Sequence, residues 1–438
     1  VVVLSAVLAG CQNPSAASQE PAKPMPIRAA DWKTIDRLID EQKLEEAATA
    51  VTALVGKARA ARDEATWAKA LVRRSQLRTA LGGLETAVEE LKNEPWPAGA
   101  IARSAVELYY AHALLEYHSG YSWEIRQREL VASGETLDLK LWTASQISDE
   151  AERAFLSVWE RREALGAVDV DDFPYLQAND FPRGVRDTVR DALSYLFVER
   201  MLGDSAFWSA AESNEAWQLD LENLLAEAPE ATAGTVHPLL RTVVVLADLE
   251  RWHRQRGELA AELQAYLVRD SLLSSHRQGE SDGKQRREAL ERRLPRFRGD
   301  PWWSVGVWSL AQDIDQVAGD PERRIQARKL ALEGERAYPG SYGARRCRQL
   351  VEQIEAPDFQ LQAMSVDGPE RRSIEVTHRN LAALHLRAYA LDLAAQLARP
   401  EFRGFFPNDP REIERLIASG TPAAEWQVEL PPTRDFLP

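Results

Sequence analysis

Cysteine is nearly absent from this chain: among 438 residues it occurs twice, at Cys11 and Cys347. No CxxC pair exists, so neither a zinc knuckle nor a thioredoxin-type redox site can be built. Histidine is sparse as well, with seven residues scattered along the chain. His112 and His118 are six apart, on different faces of a helix rather than at the i, i+4 spacing of a metal pair. HExxH, GxSxG and GxGxxG do not occur, and Gly279-Glu-Ser-Asp-Gly283-Lys284 falls one residue short of a phosphate-binding loop and lacks the following Ser or Thr. Asp169, Asp171 and Asp172 lack the glycine and distal glutamate of a calcium loop. Carboxylate pairs abound, but spacing alone nominates no general acid and base. No catalytic residue, cofactor or metal is therefore expected. Basic residues are in deficit too: 54 Lys and Arg stand against 68 Asp and Glu, a net charge of −14. That balance argues against nucleic acid as a partner, because such binding needs basic surface to neutralise phosphates.

Long apolar runs are also missing. Val1 to Ala9 is the right length for a secretory signal core and far short of the ~20 residues that span a bilayer. The usual methionine and basic leader are missing, so the chain reads as starting inside its signal peptide. Leu8-Ala9-Gly10-Cys11 resembles a bacterial lipoprotein box, small residues admitting the peptidase and the thiol taking the lipid. Cys11 is the expected lipid-attachment site, against the plainer reading of a secretion signal with an incidental cysteine. Gln12, where Asp would retain the protein at the inner membrane, points to outer-membrane sorting. Residues 1–11 are thus a signal remnant and 12–30 a Pro-, Ser- and Ala-rich tether. With Cys11 lipidated, Cys347 has no disulfide partner in the chain, and its place in a helical pattern predicts a buried structural thiol.

What is present is helix. With 45% hydrophobic and 28% charged residues the chain has ordinary globular composition. Over residues 31–356 the apolar period is helical: Leu44, Ala47, Ala48, Val51, Leu54, Val55 and Ala58 make one stripe, Ile101, Ala105, Leu108, His112 and Leu115 another, Leu239, Val243 and Leu246 a third. Asp300-Pro301 and Asp320-Pro321 read as helix starts, and Tyr338-Pro339-Gly340 as a helix end. Short breaks between amphipathic helices predict helical pairs stacked as a TPR-like or irregular solenoid, although no 34-residue register is sustained. Trp302, Trp303 and Trp308 at helical spacing predict packing rather than a sugar platform. The arginine-rich stretch from Lys284 to Arg298 reads as a solvated helix surface, with anionic lipid or an acidic partner as the alternative.

Near Pro357 the character changes. Phe359, Leu361 and Ala363 alternate, Asp367-Gly368-Pro369 turns the chain, Ile374 and Val376 alternate back, and a third strand runs from about Leu384 to Leu391. After a short helix at Arg411 to Ala418, Trp426, Val428 and Leu430 alternate again. This predicts the opening of a β-sandwich over residues 358–438, incomplete within the sequence, and so the front of a longer protein.

The passage Ser373-Ile-Glu-Val-Thr-His-Arg379-Asn380-Leu with Leu386-Arg387-Ala-Tyr389 resembles the first macroglobulin-like domain of large bacterial alpha-2-macroglobulin family proteins. The ending Trp426-Gln-Val-Glu-Leu430-Pro431-Pro432-Thr433-Arg-Asp435-Phe436 is similar to its continuation, with Phe436 where Tyr is commoner. Ala100 to Glu129, Phe181 to Met201 and Tyr338 to Cys347 resemble the helical region before that domain. The resemblance implies a periplasm-facing, envelope-anchored protein that traps or inhibits proteases. Its members present a bait region and often a Cys–Gln thioester. Neither lies within these residues, and Cys347 is not followed by the Glu-Gln a thioester needs. The segment's implied role is anchor, spacer or docking platform. The rival expectation is a lipid-anchored helical-repeat scaffold that assembles envelope protein complexes, with the β segment as its cap.

Overall fold

The computed structural model describes residues 29–128, 138–173, 175, 180–230, 236–363, 368, 373–398 and 409–438. The signal remnant, Cys11 and nearly all of the tether lie outside the described residues, as do Asp367 and Pro369 of the expected turn. The chain is mainly α-helical with a small antiparallel β portion at its C-terminal end. It divides into two compact units, the first comprising residues 1–216 and 231–249, the second residues 217–230 and 250–438.

In the first unit, helices α1 (Ala29–Asp40) and α2 (Leu44–Ala61) form a hairpin, followed by a second hairpin of α3 (Glu64–Ala80) and α4 (Leu84–Asn93). The apolar stripe of α2 is buried as its spacing demands, from Ala47 through Ala58. Arg62 ends α2 in the left-handed region, and Asp63 then caps α3 by accepting the Thr66 N–H at 3.0 Å. Glu64 reaches across the hairpin to accept the Gly99 N–H, satisfying an orphan donor where α5 (Ala100–Gly120) begins. Helix α5 packs against α3, α4 and α7 (Ala144–Trp159) and is buried on nearly every side, so it forms the spine of this unit. Its first stripe residue, Ile101, is by contrast exposed. Short α6 (Ser122–Ile125) follows α5, and α8 (Arg162–Leu165) follows α7; then come α9 (Val189–Phe197) and α10 (Ala210–Glu215). Phe155 of α7 stacks on Phe197 of α9 with centroids 5.0 Å apart.

The second unit contains α11 (Leu221–Leu225), α13 (Leu259–His276), α14 (Glu280–Arg293), α15 (Trp303–Asp315), α16 (Arg323–Ala337) and α17 (Tyr342–Glu355), while α12 (Pro238–Arg256) contributes to both units. Asp300 and Asp320 stand ahead of the cap position expected of them: each carboxylate accepts the N–H two residues on, at 2.7 and 2.9 Å, but Pro301 and Pro321 lie in the turn, and the N-caps are Trp302 and Glu322, two residues later. Gly340, at φ +81°, ends the α16 turn, and Ser341 caps α17. Helix α15 packs on α13, α14, α16 and α17. Trp302 and Trp303 are buried at its start, and Cys347 is fully buried against it, its thiol donating to the Ser304 carbonyl at 3.4 Å.

Strand β1 (Asp358–Ala363) pairs antiparallel with β2 (Ile374–Arg379), and β3 (Ala383–Ala388) with β4 (Ala424–Glu429), as two separate two-stranded sheets. Helices α18 (Leu393–Leu397) and α19 (Pro410–Ser419) lie between β3 and β4 in sequence. The Arg379-Asn380 pair is a joint. Asn380 turns the chain at φ +54°, a conformation Asn tolerates, and its amide donates to the carbonyls of Ile354 and Ala356 at 2.9 and 3.1 Å. Its backbone N–H donates to Thr433 Oγ1 at 2.7 Å, and Arg324 of α16 donates to the Phe436 carbonyl at 2.6 Å. The C-terminal tail is thereby fastened to α16 and to the end of α17.

Candidate functional site

The first unit holds a cavity of about 350 Å³ between elements that share no local sequence signature. Its α7 wall starts at a capping box: Thr143 Oγ1 accepts the Gln146 N–H, and Gln146 accepts the Thr143 N–H at 2.9 Å. That start fixes the helix phase, so Ser145, Ser148, Asp149 and Glu152 line the cavity at i, i+3, i+4 and i+7. The floor comes from the end of α9. There the chain widens into a π turn over Val198–Leu202, a local irregularity frequent at functional sites, which brings buried Met201 and Leu202 to the cavity. A 3-10 turn then presents Phe207 and Trp208, and the Trp208 indole N–H is tied to the Leu202 carbonyl at 2.8 Å.

The remaining wall is built by caps. Ser209 and Glu212 form a second capping box at the start of α10, which occupies the Glu212 carboxylate. His237 Nδ1 accepts the Leu239 N–H at 3.0 Å, which leaves Nε2 to donate to the Glu212 carbonyl at 2.8 Å and fixes the neutral tautomer. Its ring stands edge-on to Trp208 at 5.2 Å. Arg241, one turn into α12, ion-pairs with Glu152.

Two titratable groups in this cavity have no hydrogen bond or ion pair among the described residues. His118 of α5 is only 9% exposed, and its sole ring contact is with Phe207 at 4.8 Å between centroids. Burial pushes its imidazole below the ordinary histidine range, so it is neutral at pH 7. Asp149 stands on the open side, and its carboxyl is pushed up by desolvation and by the neighbouring Glu152. The cavity therefore offers carboxylate and imidazole acceptors, hydroxyls and aromatic surface.

The second unit holds a groove of about 640 Å³ lined largely by charged residues, including Glu222, Glu227, Glu288, Arg292 and Arg293. Beneath it lies an ion-pair core. Glu250 and Arg269, each 1% exposed, meet Arg293: Arg293 Nη1 donates to Glu250 Oε2 at 3.1 Å and Arg269 Nη2 to the same oxygen at 3.2 Å. Arg269 Nε lies 3.0 Å from Glu250 Oε1, close enough for ion pairing but misaligned for a hydrogen bond. Arg286 is buried against Asp270 at 3.0 Å. These contacts correct the expectation of a solvated basic helix. Lys284 and Arg292 do face solvent, but Arg286 and Arg293 turn inward because buried carboxylates on α12 and α13 require partners.

Other residues singled out in the sequence are placed as follows. Arg183 engages both Asp169 and Asp171, so a protein cation already neutralises that acidic cluster. Among the described residues, Glu85, Glu89 and Asp138 bring carboxylate oxygens within 4.8 Å of one another, but Lys140 approaches Glu85 and the Leu139 N–H donates to Glu89. The structure does not bring His112 and His118 together. The cavity residues Asp149, Trp208 and Arg241 escaped sequence reasoning. The available signals were the Thr143-x-x-Gln146 and Ser209-x-x-Glu212 caps, which mark helix starts but not what converges on them.

The β portion shows a different exposure. In each two-stranded sheet one face is largely apolar and the other largely polar: Phe359, Leu361 and Ala363 lie opposite His378, Val376 and Ile374, and Leu384, Leu386 and Ala388 opposite Val428, Trp426 and Ala424, with His378 and Ala383 as the exceptions. The apolar faces are poorly covered: Phe359 is 52% exposed, Ile374 46% and Trp426 40%.

No helix among the described residues is long and apolar enough to cross a membrane. No known family model matches the chain, and no curated protein matches its sequence. Among solved structures the chain is similar to the S. pombe nuclear import adaptor Nro1, at 13% identity over 74% of this chain and 96% of that one, with a TM-score of 0.26. A likeness at that level carries no argument about fold or function.

Proposed function

We propose that this chain is the front region of a lipid-anchored envelope protein of alpha-2-macroglobulin type, in which the two β ribbons belong to the first macroglobulin-like sandwich. The helical units act as spacer or docking platform, and proteases are the targets of the whole protein. One observation carries the reading: both ribbons alternate, largely apolar on one face and polar on the other apart from His378 and Ala383, and Phe359, Leu361, Ile374 and Trp426 on the apolar faces remain exposed. That is the pattern of strands built to pack against an opposing sheet. Lipid attachment at Cys11 rests on the sequence alone. Growth with labelled palmitate should label the native protein and leave Cys11→Ser unlabelled; a labelled variant would refute the anchor.

A specific observation favours the rival scaffold reading, with the ribbons as a terminal cap. Asn380 and Arg324 fasten the β portion to α17 and α16, as a permanent cap requires. Comparing residues 12–438 with 12–356 by size-exclusion chromatography and thermal melting separates the two. Self-association of the longer form alone, through its open apolar faces and strand edges, supports the sandwich reading. A monomeric longer form that melts cooperatively above the shorter one supports the cap.

A further inference from the structure

We propose that the cavity of the first unit binds a small alkylammonium group, held by Asp149 and His118 against the Phe207 and Trp208 rings. The inference is independent of the macroglobulin reading, since it rests on residues of the first unit only.

The charge balance sets the sign of the ligand. Three carboxylates, Asp149, Glu152 and Glu212, line the cavity against a single guanidinium, Arg241. Glu152 is neutralised by Arg241, while Glu212 accepts the Ser209 N–H and keeps its charge, so two negative charges remain uncancelled. Of these, Asp149 is the carboxylate with no hydrogen bond or ion pair among the described residues, and its charge is already disfavoured by desolvation and by Glu152. An anion would meet that surplus repulsively, and a neutral ligand would desolvate Asp149 without neutralising it. A cation removes the conflict.

The donor count sets the class. His118 is nine-tenths buried, lines the cavity and makes no hydrogen bond there, so its neutral imidazole presents an unused acceptor or donor to whatever enters. An ammonium has three donors and no acceptor, which the Asp149 carboxylate, the His118 acceptor nitrogen and the Ser145 or Ser148 hydroxyl can share. Aromatic rings add the cation–π attraction that favours organic over hydrated inorganic cations. Buried Met201 and Leu202 give the alkyl stem an apolar floor. At about 350 Å³ the cavity is at the small end of ligand sites, enough for a short chain and its head group. The head group can come from a free amine or from a lysine side chain, and the test separates these sources.

Isothermal titration calorimetry of the full chain with n-butylammonium should show saturable binding in the millimolar range or tighter, and n-butanol, its neutral counterpart, should show none. Asp149→Asn should weaken binding about 10- to 100-fold, as loss of a charge-assisted hydrogen bond does. Asp149 is exposed in the free protein, so this variant keeps its fold, which circular dichroism checks. His118→Phe, which retains the ring contact with Phe207, should weaken binding about threefold to tenfold, as loss of an ordinary hydrogen bond does. In a parallel titration with acetyl-Gly-Lys-Gly-amide, binding at least as tight as n-butylammonium assigns the site to a lysine side chain, and weaker binding assigns it to a free amine. Absence of saturable binding, equal binding of n-butanol, or an unchanged affinity in Asp149→Asn would overturn the proposal.

Discussion

Replacing Glu250 with alanine should be among the most damaging single changes in the second unit. The carboxylate is the anionic partner of two guanidinium groups, and Arg269 is as deeply buried as Glu250 itself. Without it Arg269 retains the Ala226 carbonyl at 2.9 Å and a cation–π contact with Tyr266, neither of which neutralises its charge. Removing one partner of a buried pair costs about 3–5 kcal/mol, mostly because the other charge stays desolvated. For a cooperative unit of 150–250 residues that corresponds to a melting-temperature drop of about 6–20 °C. Arg293 is better placed, because its side chain is partly exposed and can swing its head toward solvent. Glu250→Leu combined with Arg269→Met should therefore recover much of the loss, since no fully buried charge remains. Differential scanning calorimetry with urea denaturation measures both variants, and added salt should barely change the result, because buried pairs are poorly screened. A single variant that loses less than about 1 kcal/mol, or a double variant no better than the single, would show that the core tolerates an unpaired guanidinium and would refute the reasoning.

Gly343→Ala should destabilise the α15–α17 contact, since a methyl there would lie 2.5 Å from the Val305 nitrogen and 2.6 Å from the Ser304 carbonyl carbon, backbone atoms that cannot step aside; denaturation should show a loss of about 1–3 kcal/mol or more. Gly56→Ala is the control: nothing lies within 4 Å of a methyl there, so the α2 interior should gain about 0.5–1 kcal/mol. Glu150 gives a pH signature. Burial raises its carboxyl, but hydrogen bonds from Arg153 and Lys92 outweigh this and hold it at about 2, below the ordinary 4.5. Its contribution is therefore complete above pH 4.5 and lost as pH falls toward 2, and Glu150→Gln should flatten the acid limb of the melting curve over that window. Cys347, buried with its thiol pushed up to about 12, should resist iodoacetamide in the native protein and react once denaturant is added.

Legibility in the sequence followed the range of the physics involved. The α2 stripe and the alternation of Phe359, Leu361 and Ala363 are local patterns found in place, whereas Asp300-Pro301 and Asp320-Pro321 mark the turns before α15 and α16 rather than their caps. The burial of Arg286 and the inward turn of Arg293 were not legible, because they depend on Asp270 and Glu250, acids on other helices whose own burial cannot be read from spacing. The cavity fails the same test more severely. His118, Asp149, Trp208 and Arg241 come from four segments, and the π turn that brings in Met201 and Leu202 has no sequence rule. Asn380 is intermediate. The Arg-Asn pair stood out by resemblance, but its work as a left-handed joint binding two helix-end carbonyls became visible only with α17 beside it.

That joint bears on how the β portion holds its shape. A two-stranded ribbon is marginal by itself, because each strand has one paired side and each face one layer. Here β2 ends at Arg379, directly before the residue that caps α17, and β4 is followed within a few residues by Thr433, which accepts from that same residue. Both ribbons are thus tied to one helix end through Asn380 and Thr433, and among the described residues no strand of one pairs with a strand of the other. These hydrogen bonds do not use the apolar faces, where Phe359, Leu361, Ile374 and Trp426 stay exposed. Any sheet that packs onto Phe359, Leu361, Ile374 and Trp426 finds strands already in register with their apolar residues aligned. Part of the ordering entropy of such packing has then been met in advance by the helices, which lowers the threshold for a partner strand to add.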